Sequence, residues 1–391
     1  MKKFFIKTFG CQQNVADSER IVSYYESRGY EQVNEKDEAD IIVINTCMIR
    51  DMAEERVYGY IRNLRKKKSA DEQEIILTGC VVGAAARDTS GVMKKKLEKR
   101  IPDVQLLPIE EVGFEYSQKR KNKQHAWVVI SNGCNNFCTF CIVPFSRGKE
   151  ISRPFAEIMD EVNNLVEEGY TSITLLGQNV NSYGSDLVLN SENEESFELP
   201  DGKKVSPVMV QHLGRERIPT LFPFLLESVA KIKELESVSF VSSNPWDFSD
   251  ELIDVMAKYE NIDRLLHLPV QSGSSKIIKA MNRWYTREEY IALTEKIKKV
   301  IPEIKISTDI IVGFPGETEE DFEETVDLAK KIGFVKVFAA CYSPRPNTVA
   351  SKNLVDDLSW QEKKRRYHVL NDLINKRNMG VSKGSNWVRE R

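Results

Sequence analysis

The chain has 391 residues, 41% of them apolar and 29% charged, which is enough for two or three domains with sizeable cores. Its formal charge of −3 excludes a uniformly basic nucleic-acid binder but leaves room for a local basic face. No stretch approaches the roughly 18 uninterrupted apolar residues of a membrane helix. The N-terminal MKKFFIKTFGCQQN lacks the longer apolar core and the cleavage site of a signal peptide. We therefore expect a cytoplasmic protein with no membrane segment.

Short β-branched runs alternate with helical periods over residues 1–115. KFFIKTF, DIIVINT, EIILTG and DVQLLP are predicted strands, because they are short, apolar and bounded by polar residues or glycine. Helices are predicted over 15–28, 51–66 and 86–99. This alternation predicts a parallel-sheet α/β domain with right-handed crossovers. The polar, basic stretch within 116–125 is interpreted as a linker.

The same alternation restarts at residue 126. Six strands (AWVVIS, SITLLG, VSFVSS, RLLHLP, KISTDIIVG, VKVFAACY) with helices near 155–168, 220–234, 250–258, 286–299 and 318–331 predict a partial (β/α)6, TIM-like barrel over 126–355. Residues 184–218 have no apolar period and are interpreted as a long surface insertion. Residues 356–391 are expected to form a basic helix, beginning at Ser359, and a tail. The predicted fold class is α/β.

Three of the seven cysteines are close together in the sequence. Cys134, Cys138 and Cys141 form a C-x3-C-x2-C motif just after the first barrel strand, where the catalytic face of such a barrel lies. Thiolates are soft ligands that suit iron–sulfur clusters or zinc. Three thiolates on a four-iron cubane would leave one iron open for chemistry. A zinc knuckle completed by a distant residue, or three unrelated buried thiols, is the alternative.

Three further cysteines are far apart in sequence but occupy equivalent places. Cys11, Cys47 and Cys80 each follow the carboxyl end of a predicted parallel strand, where ligands of α/β sheets gather. They either converge on a second three-thiolate cluster or fill small apolar sites, and the pattern leaves both interpretations open. Cys341, inside VFAACYS, is interpreted as a core thiol.

The bunched motif, with Phe140 before its last cysteine, resembles the radical S-adenosylmethionine (SAM) superfamily. The longer run GCNNFCTFCIVPFSRGKEISRP resembles the methylthiotransferases within it, and TFGCQQNVADSE, INTCMIRDMAEE and LTGC resemble their N-terminal domain. The run VVGAAARD after Cys80 departs from the family pattern. The resemblance implies SAM and two 4Fe–4S clusters. One cluster, which cleaves SAM, would be held by Cys134, Cys138 and Cys141, and an auxiliary cluster by Cys11, Cys47 and Cys80.

Further SAM contacts are expected at the ends of barrel strands. Gly177 ends the second barrel strand, and glycine at a strand end allows a ligand to approach closely. In radical SAM proteins the corresponding strand end contacts the methionine part of SAM. A simple strand-ending turn is the alternative there. Asp309, inside the fifth strand, needs a partner if it is buried, such as SAM, a substrate hydroxyl, Arg283 or Arg345. His267 alone is more often a core histidine than a catalyst. The predicted cofactor contacts are Phe140, Gly177, Gln178, Asn179, Gln271 and Asp309.

Basic and aromatic residues near the motif loops suggest a nucleic-acid face. If they line the barrel mouth, the basic ones would hold phosphates and the aromatic ones would stack on an unpaired base. The basic set is Arg147, Lys149, Arg153, Arg283, Arg287 and Arg345, and the aromatic set is Trp284, Tyr285 and Tyr342.

FGCQQN, HLPVQSGS, MNRWYT and YSPRP most resemble the MiaB-like tRNA branch of the family. That branch acts on adenosine beside the anticodon that carries an isopentenyl group on N6. The resemblance implies an enzyme that converts C–H to C–SCH3 at adenine C2. One SAM would supply the radical that removes the C2 hydrogen, the auxiliary cluster would present sulfur, and a second SAM would donate the methyl group. Expected partners are tRNA, an electron donor such as flavodoxin or ferredoxin, and a sulfur source; a monomer is expected.

Family members usually continue into a small β-barrel (TRAM) domain that grips RNA, and too few residues follow the basic helix here to form one. Either the sequence is a fragment, or the basic tail and barrel rim hold tRNA. Rival functions are methylthiolation of threonylcarbamoyladenosine in tRNA or of a ribosomal-protein aspartate. Outside the enzymes, the rival is a zinc-containing RNA-binding module with structural cysteines.

Overall fold

The computed structural model of the chain describes residues 1–48, 51–66, 73–120, 122–191, 194–212 and 216–376. The predicted basic tail after residue 376 lies outside the described residues. Two compact units are present. The first comprises Met1–Lys123 and Ile142–Lys149, and the second comprises Gln124–Cys141 and the chain from Glu150 onward. Within the described residues, no helix combines the length and apolar character needed to cross a bilayer.

The first unit is built on a five-stranded parallel sheet. Its strands are β1 (Lys3–Thr8), β2 (Glu31–Gln32), β3 (Ile41–Thr46), β4 (Glu74–Gly79) and β5 (Val104–Leu107), in the order β2-β1-β3-β4-β5. Its helices are α1 (Gln12–Glu26), α2 (Asp51–Arg65), α3 (Cys80–Arg87), α4 (Val92–Arg100) and α5 (Val143–Ser146). All six residues of β3 are buried, as expected for a central strand of a parallel sheet covered on both faces.

The predicted helix over 86–99 is wrong, because the structure has two helices in this region. Helix α3 begins at Cys80, directly after β4. A turn then separates it from α4: the Asp88 side chain accepts hydrogen bonds from Ser90 N (3.1 Å) and Met93 N (2.8 Å). Gly91 follows with φ +68°, in the left-handed region that favours glycine. This local turn chemistry interrupts the helical period. The short edge strand β2 was not predicted.

The second unit carries the remaining elements. Its strands are β6 (His125–Val129), β7 (Ser131–Asn132), β8 (Ile151–Ser152), β9 (Ser172–Leu176), β10 (Phe197–Glu198), β11 (Lys204–Val205), β12 (Val208–His212), β13 (Glu216–Thr220), β14 (Ser237–Phe240), β15 (Leu265–His267), β16 (Lys305–Val312) and β17 (Lys336–Cys341). Its helices are α6 (Phe155–Glu167), α7 (Ser185–Leu189), α8 (Phe222–Ala230), α9 (Asp250–Lys258), α10 (Ser275–Ala280), α11 (Arg287–Val300), α12 (Glu319–Ile332), α13 (Val349–Asn353) and α14 (Trp360–Leu370).

Six of these strands form the partial barrel. They pair in two parallel groups, β14-β9-β6 and β15-β16-β17, and a bridge between Val238 and Ile262 continues the first group toward the second. Helices α11 and α12 begin with capping boxes at Thr286 and Thr318, which explains why their starts were predictable from sequence. The predicted α/β fold class, with a parallel-sheet N-terminal domain followed by a partial barrel, is confirmed.

The segment 184–218 is not a wholly surface insertion, and that prediction is wrong. It contains α7 and two antiparallel hairpins, β10–β11 and β12–β13. Val188, Leu199 and Val205 are buried in the main core of the second unit. Short hairpins bury single apolar side chains at irregular spacing, so their burial leaves no helical or strand period in the sequence.

Candidate iron–sulfur and SAM sites

The first unit places its three cysteines at the ends of adjacent strands. Cys11 caps the N-terminus of α1 after β1, Cys47 follows β3, and Cys80 begins α3 after β4. The strand register pairs Thr46 with Gly79, so Cys47 and Cys80 leave their strands at the same level. Cys47 and Cys80 are buried, and Cys11 is partly exposed. The three cysteines therefore follow adjacent strands at the carboxyl edge of one parallel sheet, as the predicted strand ends require.

Side-chain hydrogen bonds tie the three cysteine-bearing segments together. Asn14 Nδ2, on α1, donates to Asn45 Oδ1 (3.1 Å) and to Thr46 O (3.0 Å). Thr46 Oγ1, next to Cys47, donates to Thr78 O (2.7 Å) and accepts from Val81 N (3.4 Å), next to Cys80. Because these groups are buried and bonded, they hold the three strand ends in fixed positions.

Gly79 makes the direct turn from β4 into α3 possible. Its φ is +86°, and a Cβ there would lie 2.3 Å from Asn45 Oδ1 and 2.5 Å from Thr46 O. Only glycine combines this backbone conformation with such a close approach. Cys80 therefore follows β4 directly, with no loop between the strand and α3.

The second unit places Cys134, Cys138 and Cys141 in the loop that follows β7. Cys141 N donates to Cys138 O (2.9 Å), which closes a tight turn between these two residues. Burial raises the pKa of the Cys134 thiol well above its usual value, and Glu150, Cys141 and Cys138 raise it further. The three thiols therefore lie within electrostatic reach of one another.

A remote segment between α10 and α11 holds this cysteine loop. Thr139 N donates to Met281 O (3.0 Å), and Asn282 Nδ2 donates to Phe137 O (3.1 Å). Phe140 packs against the cluster that includes Met281 and Phe314. The MNRWYT motif, singled out in the sequence by its resemblance alone, thus has a structural role as the support of the loop.

Arg283, in the same motif, places a buried cation beside a candidate ligand. Its Nη1 donates to Cys138 Sγ (3.7 Å) and its Nη2 to Pro269 O (2.8 Å). Its Nε donates to Tyr285 OH (2.9 Å), and its guanidinium lies 4.7 Å from the ring centroid of Trp246. This contact with Cys138 was not predicted, although the MNRWYT motif that contains Arg283 stood out in the sequence.

The end of β9 adjoins the residue before Cys134. Gln178 Oε1 accepts from Gly133 N (2.5 Å), and Asn179 Nδ2 donates to Asp247 Oδ2 (2.7 Å). A Cβ on Gly177 would lie 2.7 Å from Ser131 Oγ, so this position has no room for a side chain. Of the three predicted residues, Gln178 therefore contacts the cysteine loop, Gly177 lies against β7 just before it, and Asn179 bonds to Asp247.

Buried polar atoms are concentrated after β6, β9 and β14. Among the described residues, the buried atoms there without a hydrogen-bond partner include Ser131 Oγ, Asn179 Oδ1, Asn181 Nδ2, Ser243 Oγ and Trp246 Nε1. Buried polar groups are normally satisfied, so this group of donors and acceptors fits a polar ligand. SAM, with its amino, carboxylate and hydroxyl groups, suits them. Burial also raises the pKa of nearby Glu150 to about 8, although the hydrogen bond from Ser182 opposes the shift.

Gln271 and Asp309 lie together on the other half of the barrel. Gln271 has φ +68° and its N donates to Asp309 O (2.9 Å). Asp309 lies within β16, with its Oδ2 3.3 Å from His267 Nε2. His267 Nδ1 lies 3.1 Å from Ser307 Oγ. His267, interpreted from sequence as a core residue, is buried and supplies a partner for Asp309.

Several residues predicted to face RNA are buried instead, and those predictions are wrong. Arg147 bonds to Asp17, and Arg153 bonds to Glu161. Arg283 is buried as described, and so are the rings of Tyr285 and Tyr342. Lys149 is exposed. Charged residues near a loop were assigned to the surface because most are, but a buried partner reverses that expectation. Cys341, at the end of β17, is only half-buried.

The zinc interpretation requires a group of ligands around a single point. A structural zinc site usually closes four ligands around one ion, with thiolates at about 2.3 Å, whereas a cubane gives each thiolate its own iron. The donor type and the number of thiols at each site fit such a cluster.

This fold and this cysteine loop define a radical SAM protein. Residues 128–329 match the radical SAM superfamily, and residues 3–106 match the uncharacterized protein family UPF0004. A solved radical SAM methyltransferase, TsrM from Kitasatospora setae, shares the fold with a TM-score of 0.59 at 12% identity, over 90% of this chain and 75% of that one. The cobalamin-dependent SAM radical enzyme OxsB shares it with a TM-score of 0.51 at 11% identity, over 96% and 56%.

Curated relatives identify the branch. A tRNA-2-methylthio-N(6)-dimethylallyladenosine synthase from Thermotoga petrophila is 40% identical over 388 residues, which cover 95% of this chain and 81% of the relative. One from Clostridium botulinum is 40% identical over 404 residues, covering 96% and 83%. The chain belongs to the family of tRNA-2-methylthio-N(6)-dimethylallyladenosine synthases. The predicted membership of the tRNA branch is confirmed.

Proposed function

We propose that this chain is the enzyme that methylthiolates C2 of adenine in N6-isopentenyladenosine next to the anticodon of tRNA. The activity named for its relatives supports the proposal. The observation that carries it is the pair of three-cysteine sites, one in each unit. Removing a hydrogen needs one cluster with an open iron, whereas inserting sulfur needs a second site from which sulfur can be delivered.

We assign the cluster that binds SAM to Cys134, Cys138 and Cys141, and the auxiliary cluster to Cys11, Cys47 and Cys80. When bound, the two clusters and SAM supply one-electron chemistry at an unactivated C–H bond and the sulfur that replaces the hydrogen. The chain's own residues bind and orient these groups. The proposed SAM contacts are Phe140, Gly177, Gln178, Asn179, Gln271 and Asp309.

Buried polar atoms give this assignment its physical basis. Asn179 Oδ1 and Asn181 Nδ2 offer an acceptor and a donor at one strand end, and a ligand amine and carboxylate would satisfy both. Arg283 holds a positive charge beside the partly buried Cys138, where it would stabilise a thiolate.

The reaction also requires partners. Each cleavage of SAM consumes an electron, so we propose a low-potential donor such as flavodoxin or ferredoxin. Each product takes up one sulfur atom, so a sulfur source must reload the auxiliary site. We place the enzyme in the cytoplasm, where its tRNA substrate is found.

Iron and acid-labile sulfide per chain test the cluster assignment after anaerobic reconstitution. The full chain is expected to hold about eight irons as two cubanes, and each triple cysteine-to-alanine variant about four. Cys341→Ala is the matched control and should retain all of them. Stoichiometric zinc without labile sulfide would contradict the assignment and favour the RNA-binding module.

Nucleoside analysis tests the substrate. With SAM and reductant, tRNA carrying N6-isopentenyladenosine should yield the 2-methylthio nucleoside, and either triple variant should yield none. A product found only on threonylcarbamoyladenosine, or only on a ribosomal-protein aspartate, would replace the proposed substrate with that rival.

A further inference from the structure

A buried ion network lies within the first unit, on the helix that begins at Cys11. Arg147 is 5% exposed, and its Nη2 donates to Asp17 Oδ2 (2.7 Å). Arg20 Nη2 donates to the other oxygen, Asp17 Oδ1 (2.7 Å). The two guanidinium groups therefore bond to opposite oxygens of one buried carboxylate.

The network is tied to the helices that begin at two of the assigned cluster ligands. Asp17 lies on α1, which Cys11 caps. The helix α5, which precedes Arg147, packs on α3, which starts at Cys80. Arg87 Nη1, on α3, donates to Ser146 O (2.9 Å), and a Cβ on Gly83 would lie 2.0 Å from the same oxygen. Arg147 is thus fixed relative to both helices.

The charge of Arg147 also interacts with the cysteines. Burial opposes the charged form, but Asp17, Cys80 and Cys11 together raise the pKa of Arg147 well above its usual value. Arg147 therefore remains a cation in the field of two thiols. Helix N-termini add further positive potential at Cys11 and Cys80.

We propose that Arg147 is a positioning residue whose fixed positive charge stabilises the reduced state of the cluster held by Cys11, Cys47 and Cys80. This inference rests on the proposed function, which assigns a cluster to that site. Reduction adds one electron from an external reductant, breaks no bond and takes up no proton. The cubane core passes from 2+ to 1+, so the core with its three thiolates becomes one unit more negative. A nearby cation in a medium of low dielectric constant favours that state.

The test measures the midpoint potential of this cluster by EPR-monitored redox titration. The parent protein carries Cys134, Cys138 and Cys141 changed to alanine, so only the auxiliary cluster reports. Arg147→Met should lower the reduction equilibrium constant at least tenfold, which is 59 mV for a one-electron couple. Arg147→Lys keeps the positive charge and should therefore retain most of the wild-type equilibrium constant. Asp17→Asn removes the neutralising carboxylate and should shift the potential upward.

Arg100→Met is the matched control in the same unit. Arg100 Nη2 bonds to both oxygens of Glu55 (2.7 and 2.8 Å) in a partly exposed pair at the end of α4. Its loss should leave the midpoint unchanged, because solvent screens such a pair.

Opposite shifts in Arg147→Met and Asp17→Asn support the inference, since a merely structural role would not reverse the sign. Equal midpoints, or shifts in the same direction, overturn it. If Arg147→Met binds no iron, Asp17→Asn decides: an upward shift supports the inference and an unchanged potential overturns it. If the parent protein itself forms no iron–sulfur cluster, the proposed function fails instead.

Discussion

The three cysteines of the second unit lie in one loop, whereas those of the first unit come from three strand ends. In the second unit, sequence spacing alone brings the thiols together, and the remote segment around Met281 and Arg283 only holds the loop. In the first unit, sheet register places the three cysteines at neighbouring strand ends, and Asn14 and Thr46 bond the strand ends to one another. A set of three cysteines is thus positioned once by local sequence and once by topology.

The two sites also differ in their buried charge. Burial would raise the pKa of Asp17, but Arg147 and Arg20 hold it below its usual value. Glu150 has no such cation among the groups that shift it, and burial raises its pKa to about 8. The first site is therefore organised around an ionised carboxylate, and the second beside a protonated one. Two sites with the same number of cysteines therefore differ in the charge of the carboxyl group beside them.

The largest effect is expected from Arg283→Met. The change leaves Pro269 O and the hydroxyl of Tyr285 without their charged donor. At about 1.5–3 kcal/mol for each hydrogen bond to a charged group, the cost is roughly 3–6 kcal/mol. Denaturant unfolding and iron content should show a destabilised second unit that loses its cluster, with the auxiliary cluster retained. Arg365→Met removes an exposed pair with Glu319 and should cost less than about 1 kcal/mol. Loss of both clusters together would contradict the assignment of one independent cluster to each unit.

The next largest effect is expected in the pH dependence of folding stability, where Glu150 and Asp17 should act in opposite directions. The pKa of Glu150 is raised from 4.5 to about 8, so its stabilising contribution is complete below the unfolded value and is lost as the pH rises toward about 8. That loss amounts to a few kcal/mol. The pKa of Asp17 is lowered from 3.8, so its contribution is present above that value and is lost at more acidic pH.

Urea unfolding midpoints measured between pH 5 and pH 9 test the direction of these stability changes. Glu150→Gln should remove the alkaline decline and gain stability relative to the parent at pH 8. Asp17→Asn should lose stability at neutral pH and leave the alkaline decline in place. Parallel curves for Glu150→Gln and the parent would show that the Glu150 carboxylate is ionised without cost in the folded chain.

A smaller change in stability is expected when either of two glycines of the first unit is replaced by alanine, and its sign should differ between them. A Cβ on Gly83 would lie 2.0 Å from Ser146 O, so Gly83→Ala should cost about 1–3 kcal/mol as α5 is pushed from α3. A Cβ on Gly59, in α2, meets nothing within 4 Å, so Gly59→Ala should stabilise by about 0.4–1 kcal/mol. Thermal unfolding of the two variants tests both signs. Equal effects would show that α5 does not pack closely on α3.

The smallest effect is expected from Thr46→Val. The variant keeps the side-chain volume but removes the hydrogen bonds to Thr78 O and Val81 N, at a cost of about 1 kcal/mol. It should release iron faster from the auxiliary site during chelation. Thr220→Val removes a comparable bond to Tyr183 O (3.0 Å) in the second unit, and should leave that rate unchanged. Equal release rates would show that the strand ends are held by other contacts.

Much of the local structure was predictable because its causes are local. Strand β3 and helix α9 follow from apolar runs and periods, and the starts of α11 and α12 from capping boxes. Motif spacing predicts a cluster at Cys134, Cys138 and Cys141, whereas the strand-end pattern leaves the interpretation of Cys11, Cys47 and Cys80 open, and only the family resemblance implies a second cluster there. What sequence reasoning missed depends on distant partners: Arg283 meets Cys138, 145 residues away, and Arg147 meets Asp17, 130 residues away.

The sequence by itself determined the α/β class, the strand-end positions of Cys11, Cys47 and Cys80, and the family, because these depend on periodicity and on short motifs. Only the tertiary structure decided which charges are buried and which buried polar atoms remain unsatisfied. It turned Arg147 and Arg283 from expected RNA contacts into cations fixed within the protein. It also leaves Ser131 Oγ, Asn179 Oδ1 and Trp246 Nε1 buried without a hydrogen-bond partner. Burial and pairing depend on residues far apart in the chain, and no local pattern records them.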